Sequence, residues 1–450
     1  MRKDTIPELF SRVAYSILIF VCGGLIALSG YEPFPYIQKS LVKIKIVWNE
    51  YVHPHPLILS KKYYDKEGVT VYNKKTAYQG WTILQGTFNE TPQVILIDME
   101  GHVLHKWNVD FFKFWPEPHH LKRYQIPKSK LNYHIQGLHL YKDGSILINI
   151  NYKGMIKLDY CSHLIWKLNR PTHHSITIDS DGSIWAPSGY LIEDTDKRYL
   201  VGDRSKNKLI KDEKEHHLFT SSHYNQTALK ISPDGKIISE YSILKALFDA
   251  NIESSFFFSH LISHLDPLHI NDIEIVTSAL SDKIKNVNKG DLLISVRQMN
   301  MLAILDKKTG KLKWHNIGPW LFQHDPDITK DGNITVFNNS RPEFSLNKIK
   351  GSNLITYDPQ NSTYDVYQPK NKNAAFYTRI MGTHQRLPNG NTLISESTRG
   401  RVIELTPSGD IAWEYIQNYD NRFASNISYS QRIDRDYLLS GKQCSPKEEN

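Results

Sequence analysis

One phrase recurs along most of the chain and constrains its fold more than any other feature. Its form is apolar-x-apolar-Asp-x-x-Gly-x-apolar-x-Trp, with variations, and its six copies occupy residues 94–107, 155–166, 228–241, 302–314, 354–367 and 402–415. Each copy predicts two alternating strands joined by a short turn, with a large aromatic side chain in the second strand. A unit that is repeated at this spacing indicates a repeat architecture built from small sheets.

A second hairpin-like segment precedes five of the six copies. These segments lie at 138–150, 173–187, 268–296, 324–337 and 384–397. Two hairpins per repeat predict a four-stranded sheet, and a ring of such sheets is a β-propeller. Only residues 80–86 precede the first copy, whereas residues 429–439 contain one additional strand pattern. The sequence therefore predicts an all-β, six-bladed propeller over residues 80–440, closed by a C-terminal strand that completes the N-terminal blade.

The N-terminal region differs from the rest of the chain. Residues 13–30 carry no charge and follow Arg2, Lys3 and Arg12, so this segment is long enough to span a bilayer or to act as an export signal. We expect an uncleaved transmembrane helix after a cytoplasmic N-terminus at 1–12, which places the propeller outside the cytoplasm, in the periplasm. Residues 31–79 are predicted to form a linker or cap, and residues 441–450 a disordered tail.

Composition excludes several classes of protein. A chain of 450 residues with 40% hydrophobic side chains can bury a sizeable core. Its net charge of +8 is spread along the chain without the dense basic run that follows a nucleic-acid backbone, so no nucleic acid partner is expected. No spacing of Cys and His resembles a zinc site, and we expect neither a metal nor a cofactor. Cys161 and Cys444 could pair, but the sequence does not decide this.

Several histidines are predicted to converge at one end of the central channel, because the innermost strands of all blades begin there. His174 and His324 each stand eight residues before the glycine of their turn, so they occupy equivalent places in two blades. His269 opens the inner strand of another blade, and Arg297 ends the second strand of that same blade. Several imidazoles around one guanidinium predict a site for an anionic group.

Three further residues are candidates for substrate binding. His384 lies near the same level, His139 belongs to a fifth blade, and Arg341 follows a second strand. A single histidine at a strand end is more often satisfied by its neighbours, whereas three or more at matching blade positions favour a functional site. Two insertions on the same face, residues 190–226 and 341–353, could be lids over the site or disordered polar loops.

Four stretches of sequence carry a resemblance to a known family. They are "HHSITIDSDG" (173–182), "DPLHIND" (266–272), "LLISVRQ" (292–298) and "PWLFQHD" (319–325). On these residues the chain resembles the bacterial arylsulfate sulfotransferases, exported six-bladed propellers that move a sulfuryl group between phenols without the nucleotide donor PAPS. The resemblance implies that His324 is the nucleophile, that His174, His269 and Arg297 hold the sulfuryl oxygens, and that Asn271 adds a polar contact.

The resemblance implies a two-step exchange between small molecules. His324 would take the sulfuryl group from an aryl sulfate donor and pass it to a phenolic acceptor. Some features depart from the family: an anchor and a short segment replace its N-terminal sandwich, its disulfide pair has no counterpart, and Asn338 stands where relatives often have Asp. Two alternatives remain, a non-catalytic membrane-anchored propeller that binds a partner or glycan, and a quinone-cofactor dehydrogenase, suggested by residues 306–314.

Overall fold

The chain divides into two compact units, Met1–Leu57 and Ile58–Asn450. The computed structural model describes residues 14–24, 58–88, 91–130, 132–192, 223–252, 254–256, 259, 263, 266–340, 351–439 and 444. In the first unit the described residues form one helix, at 14–24. All of the described sheets belong to the second unit, so the features predicted for the site are found there.

The helix at 14–24 lies inside the segment predicted to cross a membrane. The other residues of that segment, 13 and 25–30, lie outside the described residues. Among the described residues, no helix is both long enough and apolar enough to span a bilayer. The predicted transmembrane helix is therefore not confirmed.

Six antiparallel sheets form the second unit, and the predicted six-bladed β-propeller is confirmed. Blade 1 contains β2 (Trp81–Phe88), β3 (Thr91–Ile97) and β4 (Val103–Asn108). Blade 2 contains β5 (Ile135–Leu140), β6 (Ile146–Ile150), β7 (Gly154–Leu158) and β8 (Leu164–Leu168). Blade 3 contains β9 (Thr177–Ile178), β10 (Ile184–Ile192), β11 (His223–Ile231) and β12 (Ile237–Ser242). Blade 4 contains β13 (Ile270–Ile275), β14 (Leu292–Val296), β15 (Met301–Leu305) and β16 (Leu312–Ile317). Blade 5 contains β17 (His324–Ile328), β18 (Ile334–Asn338), β19 (Asn353–Asp358) and β20 (Thr363–Tyr367). Blade 6 contains β21 (Thr383–Arg386), β22 (Thr392–Glu396), β23 (Arg401–Leu405) and β24 (Ile411–Ile416).

One further strand belongs to blade 1, and another belongs to blade 6. β25 (Ile427–Ile433) pairs antiparallel with β2, so that blade 1 has the order β25-β2-β3-β4. β1 (Gly68–Tyr72) pairs with β24 and is the fifth strand of blade 6. Short helices lie in the connections at Phe111–Phe114, Ile243–Asp249 and Ser278–Ser281, and 3₁₀ turns at Arg297–Met299 and Ser397–Arg399. Part of the segment predicted as a linker or cap is therefore a strand of the propeller.

In several blades, the tryptophan of the repeated phrase forms a hydrogen bond with the neighbouring blade. The indole N–H of Trp107 in blade 1 donates to the Gly144 carbonyl in blade 2, at 3.1 Å. Trp166 in blade 2 donates to the Pro233 carbonyl in blade 3, again at 3.1 Å. Trp413 in blade 6 donates to the Met99 carbonyl in blade 1, at 2.9 Å. The aromatic position recurs because it packs apolar area between blades while its polar atom finds a partner.

The second and third strands of the blades supply most of the core. β6, β14 and β22 are buried at every position, because neighbouring blades cover both faces of each sheet. Outer strands such as β4 and β20 are largely exposed. Cys161, in the turn between β7 and β8, forms a disulfide with Cys444, with 5.5 Å between the Cα atoms. This bond decides the pairing that the sequence left open.

Candidate active site

A cavity of about 250 Å³ lies where the innermost strands of the six blades meet. Each blade contributes to its wall, which includes Gln136, His174, Asn271, His324, His384 and Tyr429. The cavity therefore lies on the propeller axis, and the predicted site residues His174 and His324 both face it. Asn271 also lines it, and its side-chain N–H donates to the Gln323 carbonyl at 2.7 Å.

The strand starts around the cavity have an unusual backbone. His174, His269 and Asp325 have φ values of 54°, 46° and 51°, in the left-handed region that costs free energy for residues other than glycine. The pairing of β17 with β18 also shifts in register between His324 and Asp327, and that of β13 with β14 between Ile270 and Asp272. Such bulges re-aim side chains, and they are common next to active sites.

His324 is held in one tautomer by its neighbours. Its Nδ1 lies 2.7 Å from Asn339 Oδ1 and 3.1 Å from the Phe322 carbonyl oxygen. Both partners are acceptors, because the Asn339 amide N–H group donates to the carbonyls of Thr378 and Met381. Nδ1 therefore carries the proton, and Nε2, which accepts a long bond of 3.2 Å from the Met381 N–H, holds a lone pair.

Burial and neighbouring charge keep His324 neutral. The residue is 5% exposed. Burial, followed by the positive charge of Arg297, lowers the pKa of His324 well below its usual value, and this exceeds the opposing effect of the Asn339 hydrogen bond. At neutral pH the ring is thus a free base with its lone pair on Nε2. That is the state required of a nitrogen nucleophile.

The other predicted catalytic residues surround His324. The ring centroids of His174 and His324 are 6.2 Å apart, and those of His174 and His269 are 5.1 Å apart. Arg297 is buried, its backbone N–H donates to the His269 carbonyl at 3.2 Å, and its guanidinium lies 5.0 Å from the centre of the Phe322 ring. The structure brings these four side chains together from three blades, and two of them, His174 and His324, line the cavity.

His174 differs from His269 in its surroundings. Burial, followed by the charges of His173 and His269, lowers the pKa of His174 well below its usual value. Nδ1 of His269 instead lies 2.5 Å from a carboxylate oxygen of Asp266. Burial acts to raise the pKa of Asp266, but the charge of His269 and its hydrogen bond lower it to about 2. Asp266 is thus an anion that holds Nδ1 of His269.

Of the three weaker candidates, one lines the cavity, one packs away from it and one lies outside the described residues. His384 lines the cavity, but its Nδ1 contacts Asp325 at 2.8 Å and its Nε2 contacts Thr335 at 2.8 Å, so both ring nitrogens have protein partners. His139 is not part of the group. Its neighbour Leu138 lines the cavity, and because side chains alternate along β5, the His139 ring packs instead against Tyr141, with 4.5 Å between centroids. Arg341 lies outside the described residues.

Four carboxyl groups line the same cavity beyond the histidines. Burial and then the charge of Asp325 raise the pKa of Asp272 to about 8, and burial raises the pKa of Asp325 and of Asp327 to about 7. Burial also raises the pKa of Glu274. Ligand atoms of Asp325, Asp327 and His384 lie within 4.8 Å of one another, so this trio could hold a metal ion, which the sequence did not predict.

Some of the residues that orient the site carried no signal in the sequence. Gln226 falls at no repeated blade position, and Asp266, the first residue of the stretch at 266–272, was not singled out within it. His173 and Asn339 are immediate neighbours of residues that the sequence had singled out, His174 and Asn338. A search for polar side chains next to the predicted nucleophile and its partners would have found these two, but not Gln226.

Comparisons with known proteins give distant structural similarities and one family match. Similar solved structures include a protein of unknown function from Bacteroides caccae, at 10% identity over 77% of this chain and 97% of that one, with a TM-score of 0.45. A streptogramin B lyase is 13% identical over 80% and 87%, with a TM-score of 0.40. The virginiamycin B lyase of Staphylococcus aureus is 11% identical over 78% and 89%, with a TM-score of 0.38.

Among curated proteins, none matches the sequence. The model of the family described as "Arylsulfotransferase (ASST)" matches residues 137–418, which is more than half of the chain. The matched range contains His174, His269, Arg297 and His324, the four side chains that the structure brings together. The chain therefore belongs to the arylsulfotransferase family.

Proposed function

We propose that this protein is a PAPS-independent aryl sulfotransferase that moves a sulfuryl group from an aryl sulfate to a phenol through a sulfo-histidine at His324. One observation carries the proposal: His324 is a neutral imidazole whose Nδ1 proton is fixed by Asn339, next to a buried guanidinium. A lone pair beside a fixed positive charge suits attack on an anionic sulfate ester, because the charge attracts the substrate and keeps the nucleophile unprotonated.

In the first half of the reaction, Nε2 of His324 attacks sulfur. A bond forms between Nε2 and sulfur, the bond between sulfur and the aryl oxygen breaks, and the phenol leaves with that electron pair. The hydrogen bond from Met381 must open first, and at 3.2 Å it is already long. Once the sulfuryl group occupies Nε2, the same N–H can donate to one of its oxygens.

Positive charge provides most of the catalysis in this scheme. Sulfuryl transfer resembles phosphoryl transfer, in which the transition state is loose and negative charge rests on the peripheral oxygens. Arg297 supplies a permanent charge, and Asp266 fixes the orientation of the His269 ring beside it. Groups that are already in position when the substrate binds need no reorganisation during the reaction.

In the second half, a phenol takes the sulfuryl group from His324. Its oxygen bonds to sulfur, the bond between sulfur and Nε2 breaks, and the electron pair returns to Nε2. Donor and acceptor use the same cavity in turn, so the first product leaves before the acceptor binds. Steady-state kinetics should accordingly follow a ping-pong pattern.

We also propose that the propeller functions outside the cytoplasm, held at a membrane by its N-terminal segment. The disulfide between Cys161 and Cys444 supports the compartment, because such bonds persist in oxidising environments. The family match favours neither a non-catalytic propeller nor a quinone-cofactor dehydrogenase.

The experiment compares His324→Ala with His315→Ala, since His315 is exposed on the outer strand β16, whereas His324 begins the inner strand β17. With 4-nitrophenyl sulfate as donor and phenol as acceptor, His324→Ala should lose about 10³-fold or more of kcat/KM. His315→Ala should match the wild type. A His324→Ala variant that stays within tenfold of wild-type turnover and folds normally would contradict the proposal.

A further inference from the structure

Behind the proposed catalytic histidines runs a chain of hydrogen-bonded side chains from three parts of the sequence. Nδ1 of His174 lies 2.8 Å from Nδ1 of His173, and Nε2 of His173 lies 2.9 Å from Oε1 of Gln226. The Gln226 amide N–H group donates to Asp266 at 2.8 Å and to Tyr152 at 3.1 Å. Asp266 completes the chain at His269, so the chain joins the two imidazoles next to His324.

The direction of each hydrogen bond follows from Asp266. A carboxylate only accepts, so the Gln226 side chain must turn its N–H group toward Asp266 and its oxygen toward His173. Gln226 is fully buried, and the reversed amide would set two oxygens against each other without water. Its oxygen is therefore an acceptor, and Nε2 of His173 must carry a proton.

This proton decides the tautomer of His174. Burial, followed by the charge of His269, lowers the pKa of His173 to about 3, so the ring is neutral and has a single proton, on Nε2. Nδ1 of His173 is then an acceptor, and the hydrogen between the two facing Nδ1 atoms belongs to His174. His174, also neutral, is left with a lone pair on Nε2. Among the described residues, no hydrogen bond engages that atom, and His174 lines the cavity.

We propose that His173 is a positioning residue that fixes His174 in the tautomer whose Nε2 accepts the proton of the phenolic acceptor. The inference rests on the proposed function and adds to it the proton path of the second half of the reaction. As the oxygen–sulfur bond forms and the sulfur–nitrogen bond breaks, the hydroxyl proton moves to Nε2 of His174. The departing phenoxide of the next donor takes that proton, so no proton is gained or lost in a full turnover.

The stack behind His174 suits this role. Tyr152 lies parallel to the His173 ring, with 4.3 Å between centroids, and its hydroxyl group is within 3.3 Å of Asp266. His173 is fully buried, which prevents water from replacing its contacts. When His174 becomes positively charged, its Nδ1 proton can shift toward His173. The positive charge then lies closer to the Asp266 carboxylate, which stabilises it.

Two variants separate positioning from a general structural role. His173→Phe keeps the ring and its stack on Tyr152 but removes the acceptor for the His174 proton. His173→Asn keeps a side-chain oxygen that can accept it. At about pH 8.5, 4-nitrophenol is ionised because its nitro group withdraws electrons from the oxygen. 4-Methylphenol keeps its proton there, because a 4-alkylphenol such as the tyrosine side chain has a pKa of about 10. Only the second acceptor needs a base.

The measurement is the rate at which preformed sulfo-enzyme loses its sulfuryl group to each phenol, by rapid quench and mass spectrometry. His173→Phe should slow transfer to 4-methylphenol by about 10²-fold and transfer to 4-nitrophenol by less than about threefold, with partial rescue in His173→Asn. Equal slowing with both acceptors, or no slowing with either, would overturn the inference.

A second measurement keeps the test independent of folding in the variants and of the proposed reaction. Nuclear magnetic resonance of the full wild-type chain, with isotopically labelled histidine, reports which ring nitrogen holds each proton. The expected result is a proton on Nδ1 of His174 and on Nε2 of His173. A proton on Nε2 of His174 overturns the inference even if sulfuryl transfer occurs. A wild-type protein that forms no sulfo-histidine but shows these tautomers would defeat the proposed function instead.

Discussion

Two groups of side chains of opposite character surround the axial cavity, and we call them layers. The first layer holds His174 and His324, which line the cavity, with His269 and Arg297 next to them. The second layer, farther along β13 and β17, holds Asp272, Glu274, Asp325 and Asp327. His324 and Asp325 are adjacent in the sequence, yet they belong to different layers, because the bulge in β17 turns them to different neighbours.

The difference between the layers lies in how burial acts on each group. In the histidine layer, burial and Arg297 lower the pKa of His324, which leaves a neutral base beside a fixed cation. In the carboxyl layer, burial raises the pKa of Asp325 to about 7, which favours neutral acids. Low dielectric thus opposes charge in both layers. Arg297 therefore remains as a permanent charge next to the nucleophile, and an anionic substrate should bind in the first layer.

The largest effect should come from removing that permanent charge. Arg297→Met keeps a buried side chain of similar length but deletes the guanidinium. We expect kcat/KM for an aryl sulfate to fall by about 10²–10³-fold, since fixed charges aimed at a transition state contribute on this scale. Kinetics with 4-nitrophenyl sulfate check this, and Arg435→Met, at an exposed position, is the control. If kcat/KM of a folded Arg297→Met variant fell by less than tenfold, the guanidinium would not be the charge that distinguishes the first layer from the second.

The carboxyl layer should instead affect stability, and it should do so as a function of pH. Burial and Asp325 raise the pKa of Asp272 from 3.8 to about 8. The folded protein then keeps a proton that the unfolded chain releases, so the free energy of unfolding falls as pH rises from about 4 to about 8. Asp272→Asn removes this pH-dependent loss. Its free energy of unfolding relative to that of the wild type should therefore rise by on the order of 2 kcal/mol between pH 5 and pH 8.

Urea unfolding of Asp272→Asn at both pH values measures that gain. The exposed Asp436→Asn serves as the control, and it should show no such change with pH. If the stability difference between Asp272→Asn and the wild type were the same at pH 5 and pH 8, the carboxyl group would be charged in the fold, and the account of the second layer would fail.

The smallest effect on sulfuryl transfer is expected at His384. Although the sequence predicts that it binds substrate, both of its ring nitrogens bond to protein groups, one to Asp325 of the second layer and the other to Thr335. His384→Gln keeps a polar side chain there and should change kcat/KM by less than about fivefold, because no contact with the sulfuryl group is removed. Steady-state assays decide this. A hundredfold loss of kcat/KM in a His384→Gln variant of normal stability would show that His384 acts on the substrate as the residues of the first layer do.

The blades and the histidine layer could be predicted because they repeat. A phrase that recurs six times shows which residues start equivalent strands, and strand starts in a propeller share one end. That reasoning placed His174 and His324 correctly around the cavity. It misplaced His139, because the alternation of side chains along β5 depends on a bulge that the sequence pattern does not show.

Other features depend on contacts between distant segments and were missed. β1 lies in a stretch without repeat character, and only its pairing with β24, more than three hundred residues later, makes it a strand. Gln226 orients His173 from the end of an insertion without a motif, and Asp266 orients His269 from the first position of the stretch at 266–272, where no pattern distinguished it. The carboxyl layer did leave a trace, since Asp and Glu alternate with other residues in two inner strands. Equivalent positions in those strands could have been compared.

The central claim is that His324 carries the sulfuryl group during transfer. Its most direct test is mass spectrometry of the full-length protein, quenched within its first turnover with an aryl sulfate and no acceptor, then digested. We predict one added sulfuryl group per chain, on the peptide that contains His324, and its loss when a phenol is added. A sulfuryl group on another residue, or an unmodified protein that still transfers sulfuryl groups, would contradict the account.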